Sequence, residues 1–530
     1  MKILIAESMA PAGIAQLQAQ PGWEVVVSNP KEYAPHLADC EVVFVRSGVK
    51  LTKDVLAQAP KLRVIGRAGV GVDNVDLPAA TAAGVLVMNT PGGNAVSVAE
   101  HTLALMLAMA RNILQANAST KAGKWEKKKM MGRELRGKTL SVLGLGSIGR
   151  EVVLRARAFE MRILANDPYV SSQTAADLNV ELASLDTVLA ESDYITLHTA
   201  LTPETRNLLN RDAFSKMKQG VRIVNCARGE MIDPEALKEA IESGKVAGAA
   251  LDVFSPEPPA ADSPLLAFDQ LVATPHIAGS TEEAQEIIGV RIVAQVVEYL
   301  NNGVVINAVN MPALSPEQFR AVGPYLALAE RMGNFASYIA EGNPRAVRLT
   351  YFGRIAEMNT QLIRNAGVAG VLNRSLSQRA NLVNAMSIAA QRGLATAERH
   401  EKRVAAMDTI RLELETDAGV TWVEGAVVLE KPRLILVDGI YCETPLAGHL
   451  TFMKNQDVPG VIGHVGTVLG RNGVNIANFS LGREDAPLKP GEPLTAIAVV
   501  ETDGVASEAV LAQLRENPAV KLARTVEFSA

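Results

Sequence analysis

The sequence has few cysteines, and they lie far apart. Cys40, Cys226 and Cys442 form no C-x-x-C pair, so the sequence signals neither a disulfide framework nor a zinc site built on cysteines. We therefore expect no metal, and a reducing, cytoplasmic compartment.

Long apolar runs are also missing. The most apolar helical stretch, residues 101–110, is bounded by Glu100 and Arg111 and is about half as long as a bilayer span needs. The apolar run before Ala6 and Glu7 is too short for the core of a secretory signal. We expect no membrane association, and we interpret residues 101–110 as a buried or subunit-facing helix.

The charge balance shows no excess of basic residues. With 52 Lys and Arg against 57 Asp and Glu, the net charge is -5, which argues against nucleic acid or an anionic membrane surface as the main partner. A hydrophobic core stops growing near about 300 residues, so the 530 residues predict three or four folded units.

Alternating apolar runs and helical stretches predict the fold class. We expect an α/β chain with two doubly wound parallel-sheet domains, followed by an α+β domain and a ferredoxin-like βαββαβ domain. One long helix is expected over residues 96–116, and six strands in the second domain. The predicted boundaries are 1–95, completed by a helix near 284–312, then 96–283, 313–447 and 448–530.

A glycine fingerprint opens the second domain. Gly144, Gly146 and Gly149 follow the apolar strand LSVL and precede a helical run, as a pyrophosphate-binding turn requires. Asp167 closes the next strand, where a carboxylate accepts hydrogen bonds from ribose hydroxyls and repels a 2′-phosphate. The pattern predicts an NAD-binding (Rossmann-like) domain and favours NAD over NADP.

Three polar side chains follow three later strands of the same domain. Arg228 follows RIVNC, Glu257 follows GAALDVF, and His276 follows LVA. Hydride transfer from a 2-hydroxy acid needs a base, a carboxylate that orients the base, and a cation for the substrate carboxylate. We predict that His276, Glu257 and Arg228 fill these roles.

The motifs GLGSIG, NCARGE, DVFSPEPP and TPHIAGST resemble those of the D-isomer-specific 2-hydroxyacid dehydrogenases, over roughly residues 1–312. The resemblance implies Arg228 as the substrate-carboxylate ligand, His276 as acid/base and Glu257 as its partner. It also implies NAD contacts from nine positions: Ser147, Ile148, Asp167, Thr199, Cys226, Ala227, Asp252, Ala278 and Gly279.

Within this family, VRSGVK, GRAGVGVDNVD and MNTPGGN resemble the members that act on a phosphorylated substrate. The resemblance places substrate contacts at Arg46, Ser47, Gly71, Val72 and Lys127. Two alternatives stay open, since Arg46 also suits a surface ion pair and Lys127 lies in a basic run that suits a solvated face.

The C-terminal part resembles the intervening domain of the long family members followed by an ACT domain. ACT domains bind amino acids between a loop after their first strand and a neighbouring chain. By motif, Asp457 and Asn475 would hold the amino and carboxylate groups of an effector, with Asn455 beside them. Asn455 departs from the aromatic or histidine that is common there. An oligomerisation module without a ligand is the alternative.

The resemblance therefore implies NAD-dependent oxidation of 3-phospho-D-glycerate to 3-phosphohydroxypyruvate, the first step of L-serine biosynthesis, with L-serine as effector and a homodimer or homotetramer as the assembly. Two alternatives remain. One is a reductase of hydroxypyruvate, glyoxylate or a similar acid. The other is a sensor that binds NAD without catalysis, which turnover of NADH would exclude.

Overall fold

The computed structural model describes residues 1–376, 379–401, 407–486 and 493–528, and the chain divides into two compact units. One unit comprises Met1–Ser8, Ile14–Asn89 and Ile292–Ala530, and the other comprises Met9–Gly13 and Thr90–Arg291. The first unit carries three sheets, and the second carries one. In these ranges no helix combines the length and hydrophobicity needed to cross a membrane.

The first sheet has five parallel strands in the order β2-β1-β3-β4-β5. Its central strands are runs of Val, Ile, Leu and Phe that are buried on both faces, as parallel strands between helices require. The elements are β1 Lys2–Ile5, α1 Pro11–Gln18, β2 Glu24–Val27, β3 Val42–Val45, α2 Lys53–Leu56, β4 Val64–Arg67, α3 Leu77–Ala82 and β5 Leu86–Met88.

The second sheet has seven parallel strands in the order β12-β11-β10-β9-β6-β7-β8. The strand order reverses between β6 and β9, and ligands of open α/β sheets bind beyond the strand ends at such a point. The elements are α4 Ala95–Ala110, α5 Ile113–Lys121, β6 Thr139–Leu143, α6 Ser147–Ala158, β7 Arg162–Asn166, α7 Ser172–Asp177, β8 Glu181–Leu182, α8 Leu185–Glu191, β9 Tyr194–Leu197, α9 Arg211–Lys216, β10 Val221–Asn225, α10 Pro234–Glu242, β11 Val246–Leu251, β12 Leu271–Ala273 and α11 Glu282–Asn302.

Two predictions about this unit were wrong in detail. The sheet has a seventh strand, because β8 is only two residues long and leaves no apolar pattern in the sequence. The helix expected over 96–116 is broken between α4 and α5, where Asn112 adopts a left-handed backbone with φ +52°. The helix expected near 284–312 is α11, which is followed by Gly303, whose φ of +71° terminates it.

The third sheet has six strands in the order β14-β13-β15-β16-β17-β18, antiparallel except for the β13–β14 pair. The long helix α12 packs on it and begins at a capping box formed by Ser315 and Gln318. The elements are α12 Pro316–Ile339, β13 Pro344–Phe352, α13 Gln361–Asn373, α14 Ala385–Gln391, β14 Ala395–Glu401, β15 Thr409–Thr416, β16 Gly419–Val428, β17 Lys431–Val437 and β18 Ile440–Pro445. The short 3-10 helices of the chain are Ala34–Asp39, Lys127–Lys129, Gly229–Met231, Pro264–Ala267 and Gly353–Glu357.

The fourth sheet is antiparallel, in the order β20-β21-β19-β22, and confirms the predicted βαββαβ unit. Its elements are β19 His449–Gln456, α15 Val461–Arg471, β20 Ile476–Arg483, β21 Thr495–Thr502, α16 Glu508–Arg515 and β22 Val520–Glu527. Residues 487–492, between β20 and β21, lie outside the described residues. Phe452 of β19 meets Phe335 of α12 edge to face at 5.8 Å, so the third and fourth sheets share one hydrophobic core.

Candidate active site

His276 and Glu257 are brought together beyond the ends of β11 and β12. The Nδ1 atom of His276 lies 2.9 Å from Oε2 of Glu257, and both side chains are partly exposed. The backbone N–H of Phe254 donates to the other carboxylate oxygen at 2.9 Å, which fixes the carboxylate. In the part of the chain that the structure describes, no group bonds Nε2 of His276. A histidine that is oriented by a hydrogen bond at Nδ1 thus keeps Nε2 available for a substrate.

A buried carboxylate holds the backbone around His276. Asp252 is fully buried and accepts hydrogen bonds from the N–H groups of Ile277 and Ala278, both at 2.9 Å, and from the Thr274 hydroxyl. Burial by itself would raise the pKa of Asp252, but these bonds and one from His101 hold that pKa below its usual range. His276 has a left-handed backbone, with φ +54°. A non-glycine residue holds this conformation only where its surroundings impose it.

Arg228 follows β10, and its loop touches the loop that carries Glu257. A Cβ atom on Gly229 would lie 2.1 Å from the carbonyl group of Phe254, so only glycine permits this approach. The Asn225 amide donates to the Arg228 carbonyl at 2.8 Å, and Nη1 of Arg228 donates to the Ala227 carbonyl at 2.7 Å. All three predicted catalytic residues therefore belong to adjoining loops of one sheet edge.

The glycine fingerprint forms a turn between β6 and α6 that admits no side chains at two positions. Gly144 has φ +96°, and a Cβ atom there would lie 2.8 Å from the His198 carbonyl oxygen. A Cβ atom on Gly149 would lie 2.0 Å from the Gly144 carbonyl oxygen. Beside Gly146, which caps α6, the space is open. An open space at the N-terminus of a helix suits a pyrophosphate, so the turn fits a dinucleotide.

Asp167 lies after β7, as predicted, and also organises the turn itself. Its Oδ2 accepts from the Leu145 N–H at 2.8 Å, and its Oδ1 accepts from the Tyr169 N–H at 2.9 Å. Each carboxylate oxygen keeps a lone pair for a ribose hydroxyl. The other predicted NAD contacts lie on α6 or in loops of the same unit: Ser147, Ile148, Thr199, Cys226, Ala227, Ala278 and Gly279.

Burial shifts the pKa values of two side chains beside this cradle. His198, just after β9, is largely but not fully buried. Its Nε2 lies 2.9 Å from the Thr196 hydroxyl, and burial lowers its pKa to about 3. Burial raises the pKa of the Cys226 thiol to about 12. The other two thiols, Cys40 and Cys442, are also buried and unpaired, and burial raises the pKa of each to about 11.

The predicted substrate loops belong to the first sheet. Arg46 and Ser47 directly follow β3, and Nη1 of Arg46 donates to the Ser8 hydroxyl at 3.1 Å rather than to a carboxylate. Gly71 and Val72 lie in the loop after β4, where the Val72 carbonyl accepts from the Val75 N–H.

Lys127 lies in the other unit, in an exposed basic 3-10 turn. The hydrogen bond from Arg46 to the Ser8 hydroxyl argues against the surface ion pair for Arg46. For Lys127, a contact with the substrate and a solvated basic face both remain open.

The fourth sheet contains a cavity of about 360 Å³ at the start of α15. Asn455 and Asp457 line it together with Val458, Pro459 and Gly460, and Asp457 also accepts a hydrogen bond from Arg483 at 3.0 Å. Asn475 is the exception. It is absent from the lining and donates to Asp503 at 2.8 Å, because it stands at the far end of α15, before β20. The predicted pairing of Asp457 with Asn475 is thus not formed within one chain.

Sequence reasoning missed His101 and Thr274. His101 lies on α4, and its Nε2 atom is 3.2 Å from the Thr274 hydroxyl and 3.5 Å from Asp252. His101 and Thr274 are 173 positions apart in the chain, so no local motif links them. Their one sequence signal is that Thr274 immediately precedes the PHIAGS segment.

Known proteins resemble the chain over nearly its whole length. Profiles for the D-isomer specific 2-hydroxyacid dehydrogenase NAD binding domain, the D-3-phosphoglycerate dehydrogenase intervening domain and the ACT domain match residues 103–278, 321–438 and 449–519. D-3-phosphoglycerate dehydrogenase of Archaeoglobus fulgidus is 43% identical over 93% of both chains. The enzyme of that name from Methanocaldococcus jannaschii is 41% identical over 98% of both.

Among solved structures, D-lactate dehydrogenase of Aquifex aeolicus, in complex with NAD and lactic acid, superposes with a TM-score of 0.51. It is 29% identical in sequence, and the match covers 59% of this chain and all of that one.

Proposed function

Because the chain belongs to the D-3-phosphoglycerate dehydrogenase family, we propose that it oxidises 3-phospho-D-glycerate to 3-phosphohydroxypyruvate, with His276 as the base. The observation that carries the proposal is the 2.9 Å bond between His276 Nδ1 and Glu257. The carboxylate fixes the tautomer with the proton on Nδ1 and stabilises the imidazolium. Nε2 is then the atom that takes the proton of the C2 hydroxyl.

Arg228 binds the substrate carboxylate, since a guanidinium offers two parallel donors to a carboxylate. NAD, when bound in the glycine cradle, supplies the acceptor for the hydride that leaves C2. His276 takes the proton of the hydroxyl, and with a bound acceptor for the hydride the oxidation of the alcohol to a ketone would balance. Asp252 keeps the His276 loop in place during the reaction through its buried bonds to that loop.

The substrate phosphate is bound by Arg46, Ser47, Gly71, Val72 and Lys127. What supports this is that Arg46 donates to a hydroxyl and not to a carboxylate, which leaves its positive charge for an anion.

One assay tests the activity. The rate of NADH oxidation is compared for 3-phosphohydroxypyruvate, hydroxypyruvate and 2-oxoglutarate. We expect kcat/KM to be highest for the phosphorylated acid. A rate that is equal or higher with hydroxypyruvate would favour the reductase, and no turnover would favour the sensor.

The effector of the fourth sheet is L-serine, bound in the cavity at the start of α15. The Asp457 carboxylate suits an ammonium group, and the backbone N–H groups at the start of α15 suit a carboxylate. The amide that this chain itself offers in the cavity is that of Asn455, and Asn475, which lies outside it, would contribute only from a second chain.

The chain acts in the cytoplasm as a homodimer or homotetramer. Its three thiols are unpaired, as is usual in a reducing compartment. Trp125 and Met131, six positions apart in the chain, are 84% and 83% exposed, and exposed large apolar side chains are typical of contact surfaces.

A further inference from the structure

Glu7 is a nearly buried carboxylate just after β1, with 9% of its surface exposed. It accepts three hydrogen bonds from the backbone of one loop. Oε1 lies 2.9 Å from the Arg46 N and 2.7 Å from the Val49 N, and Oε2 lies 3.1 Å from the Gly48 N. Three N–H donors stabilise the charge of a carboxylate in this position.

Asn74 holds the same loop from the other side. Its amide nitrogen donates to the carbonyl oxygens of Arg46 and Val49, both at 2.7 Å. A Cβ atom on Gly48 would lie 3.0 Å from Oε2 of Glu7, so glycine leaves room for the carboxylate. The 46–49 loop is thus fixed at both ends by two side chains.

The loop has one N–H group that Glu7 does not bind. In the described ranges, the Ser47 N–H has no acceptor, although it lies between two N–H groups that Glu7 binds. Arg46, the preceding residue, carries a guanidinium that donates to the Ser8 hydroxyl. A backbone N–H beside a guanidinium is a donor set for a phosphate group.

We propose that Glu7 is a positioning residue that makes the enzyme selective for a phosphorylated substrate. By taking the N–H groups of Arg46, Gly48 and Val49, it sets the loop so that the Ser47 N–H and the Arg46 guanidinium serve the phosphate together. This rests on the proposed function, in which Arg46 and Ser47 bind that phosphate. Glu7 itself does not touch the substrate.

The carboxylate is essential to this role, and an amide of the same shape does not replace it. In Glu7→Gln one side-chain oxygen is replaced by an NH₂ group, which would face an N–H donor of the loop. At least one of the three bonds is then lost, and the loop must move. Loss of a charge-assisted hydrogen bond of this kind is worth about tenfold or more in binding.

The test compares full-length wild type and Glu7→Gln in NADH oxidation with 3-phosphohydroxypyruvate and with hydroxypyruvate. We expect KM for the phosphorylated acid to rise about tenfold with kcat little changed. For hydroxypyruvate, which has no phosphate, kcat/KM should stay within about twofold. The control is Asp417→Asn, which alters another carboxylate that accepts from a backbone N–H, that of Asn343 at 2.8 Å, and should change neither substrate's KM.

Other outcomes are decisive as well. Equal losses for both substrates, or no loss for either, would overturn the proposal and leave the proposed function standing. A wild type that shows no preference for the phosphorylated acid would instead contradict the proposed function, and the role of Glu7 with it. If Glu7→Gln does not fold, Asn74→Ser removes the two donors on the other side of the loop, and the same loss of selectivity is expected.

Discussion

The dehydrogenase site and the cavity of the fourth sheet hold their polar side chains in different ways. At the dehydrogenase site, Asp252 and the Phe254 N–H fix the loops of His276 and Glu257, and Nε2 of His276 has no hydrogen-bond partner among the described residues. In the fourth sheet, Asp457 and Asn475 are each bonded to another side chain, Arg483 and Asp503. The first site is preorganised, and the second requires a ligand to replace existing bonds.

The sharpest test of preorganisation removes the base. In His276→Ala we expect kcat to fall by about 10²-fold or more, because a positioned general base is lost, while NADH still binds. His276→Asn is the matched variant, since asparagine tolerates the left-handed backbone at this position better than alanine does. His36→Ala serves as the control.

Steady-state kinetics and NADH fluorescence titration provide the measurements. A kcat near that of wild type in both His276 variants would show that another group is the base.

A second test concerns how acid affects the stability of the unit that carries the seven-stranded sheet. Burial lowers the pKa of His198 to about 3, so the folded state holds this histidine neutral. The contribution of the neutral His198 to the stability of the folded state is complete above the ordinary histidine pKa of about 6.5, and it is lost as the pH falls towards 3. Below the ordinary pKa, each pH unit lowers the free energy of unfolding by about 1.4 kcal/mol. At pH 5 the loss is about 2 kcal/mol.

In His198→Gln the loss of stability between pH 7 and pH 5 should be smaller by this amount, as measured by scanning calorimetry. His36→Gln is the control and should follow the wild type. Parallel pH curves for wild type and His198→Gln would contradict the assignment.

A third test concerns the cofactor. In Asp167→Ala the ratio of kcat/KM for NAD over that for NADP should fall by about tenfold, because the ribose hydrogen bonds and the repulsion of a 2′-phosphate both disappear. Asp167→Asn separates the two effects, since it removes the charge and keeps one acceptor for the Leu145 or Tyr169 N–H. A wild type that uses both cofactors equally well would show that Asp167 does not face the ribose.

The smallest effect is expected at the effector cavity. L-serine should bind the wild type and inhibit it partially, since allosteric coupling is typically worth about 1 to 3 kcal/mol. Asp457→Ala should abolish the heat of serine binding in calorimetric titration. Asn475→Ala is the matched variant, and it should weaken binding only if a neighbouring chain contributes that amide. Absence of heat with wild type, or equal binding by wild type and Asp457→Ala, would refute the site.

The separation in sequence between interacting residues explains how much the sequence could predict. His276, Glu257 and Arg228 each come within six residues of the end of an apolar strand, and the glycine turn depends on residues within one short segment. The local pattern was therefore enough to place them at one edge of the sheet. The contacts of Glu7 are 39 to 42 residues away, and those of His101 with Thr274 are 173 away. Such contacts depend on the order of strands in a sheet, which periodicity does not specify. The motif around Asn475 shows the residue type and not its hydrogen-bond partner, so it could not indicate that Asn475 bonds Asp503 within one chain.

The burial of Cys40, Cys226 and Cys442 has a practical consequence for studying motion in this protein. Burial raises the pKa of each thiol to about 11 or 12, so near neutral pH the reactive thiolate form is scarce and reagents have poor access to it. A cysteine engineered at an exposed position would then be the preferred point of attachment for a fluorophore or spin label in the otherwise unaltered chain. Pairs of such labels would allow distances between the catalytic and effector regions to be followed in solution with all native cysteines retained.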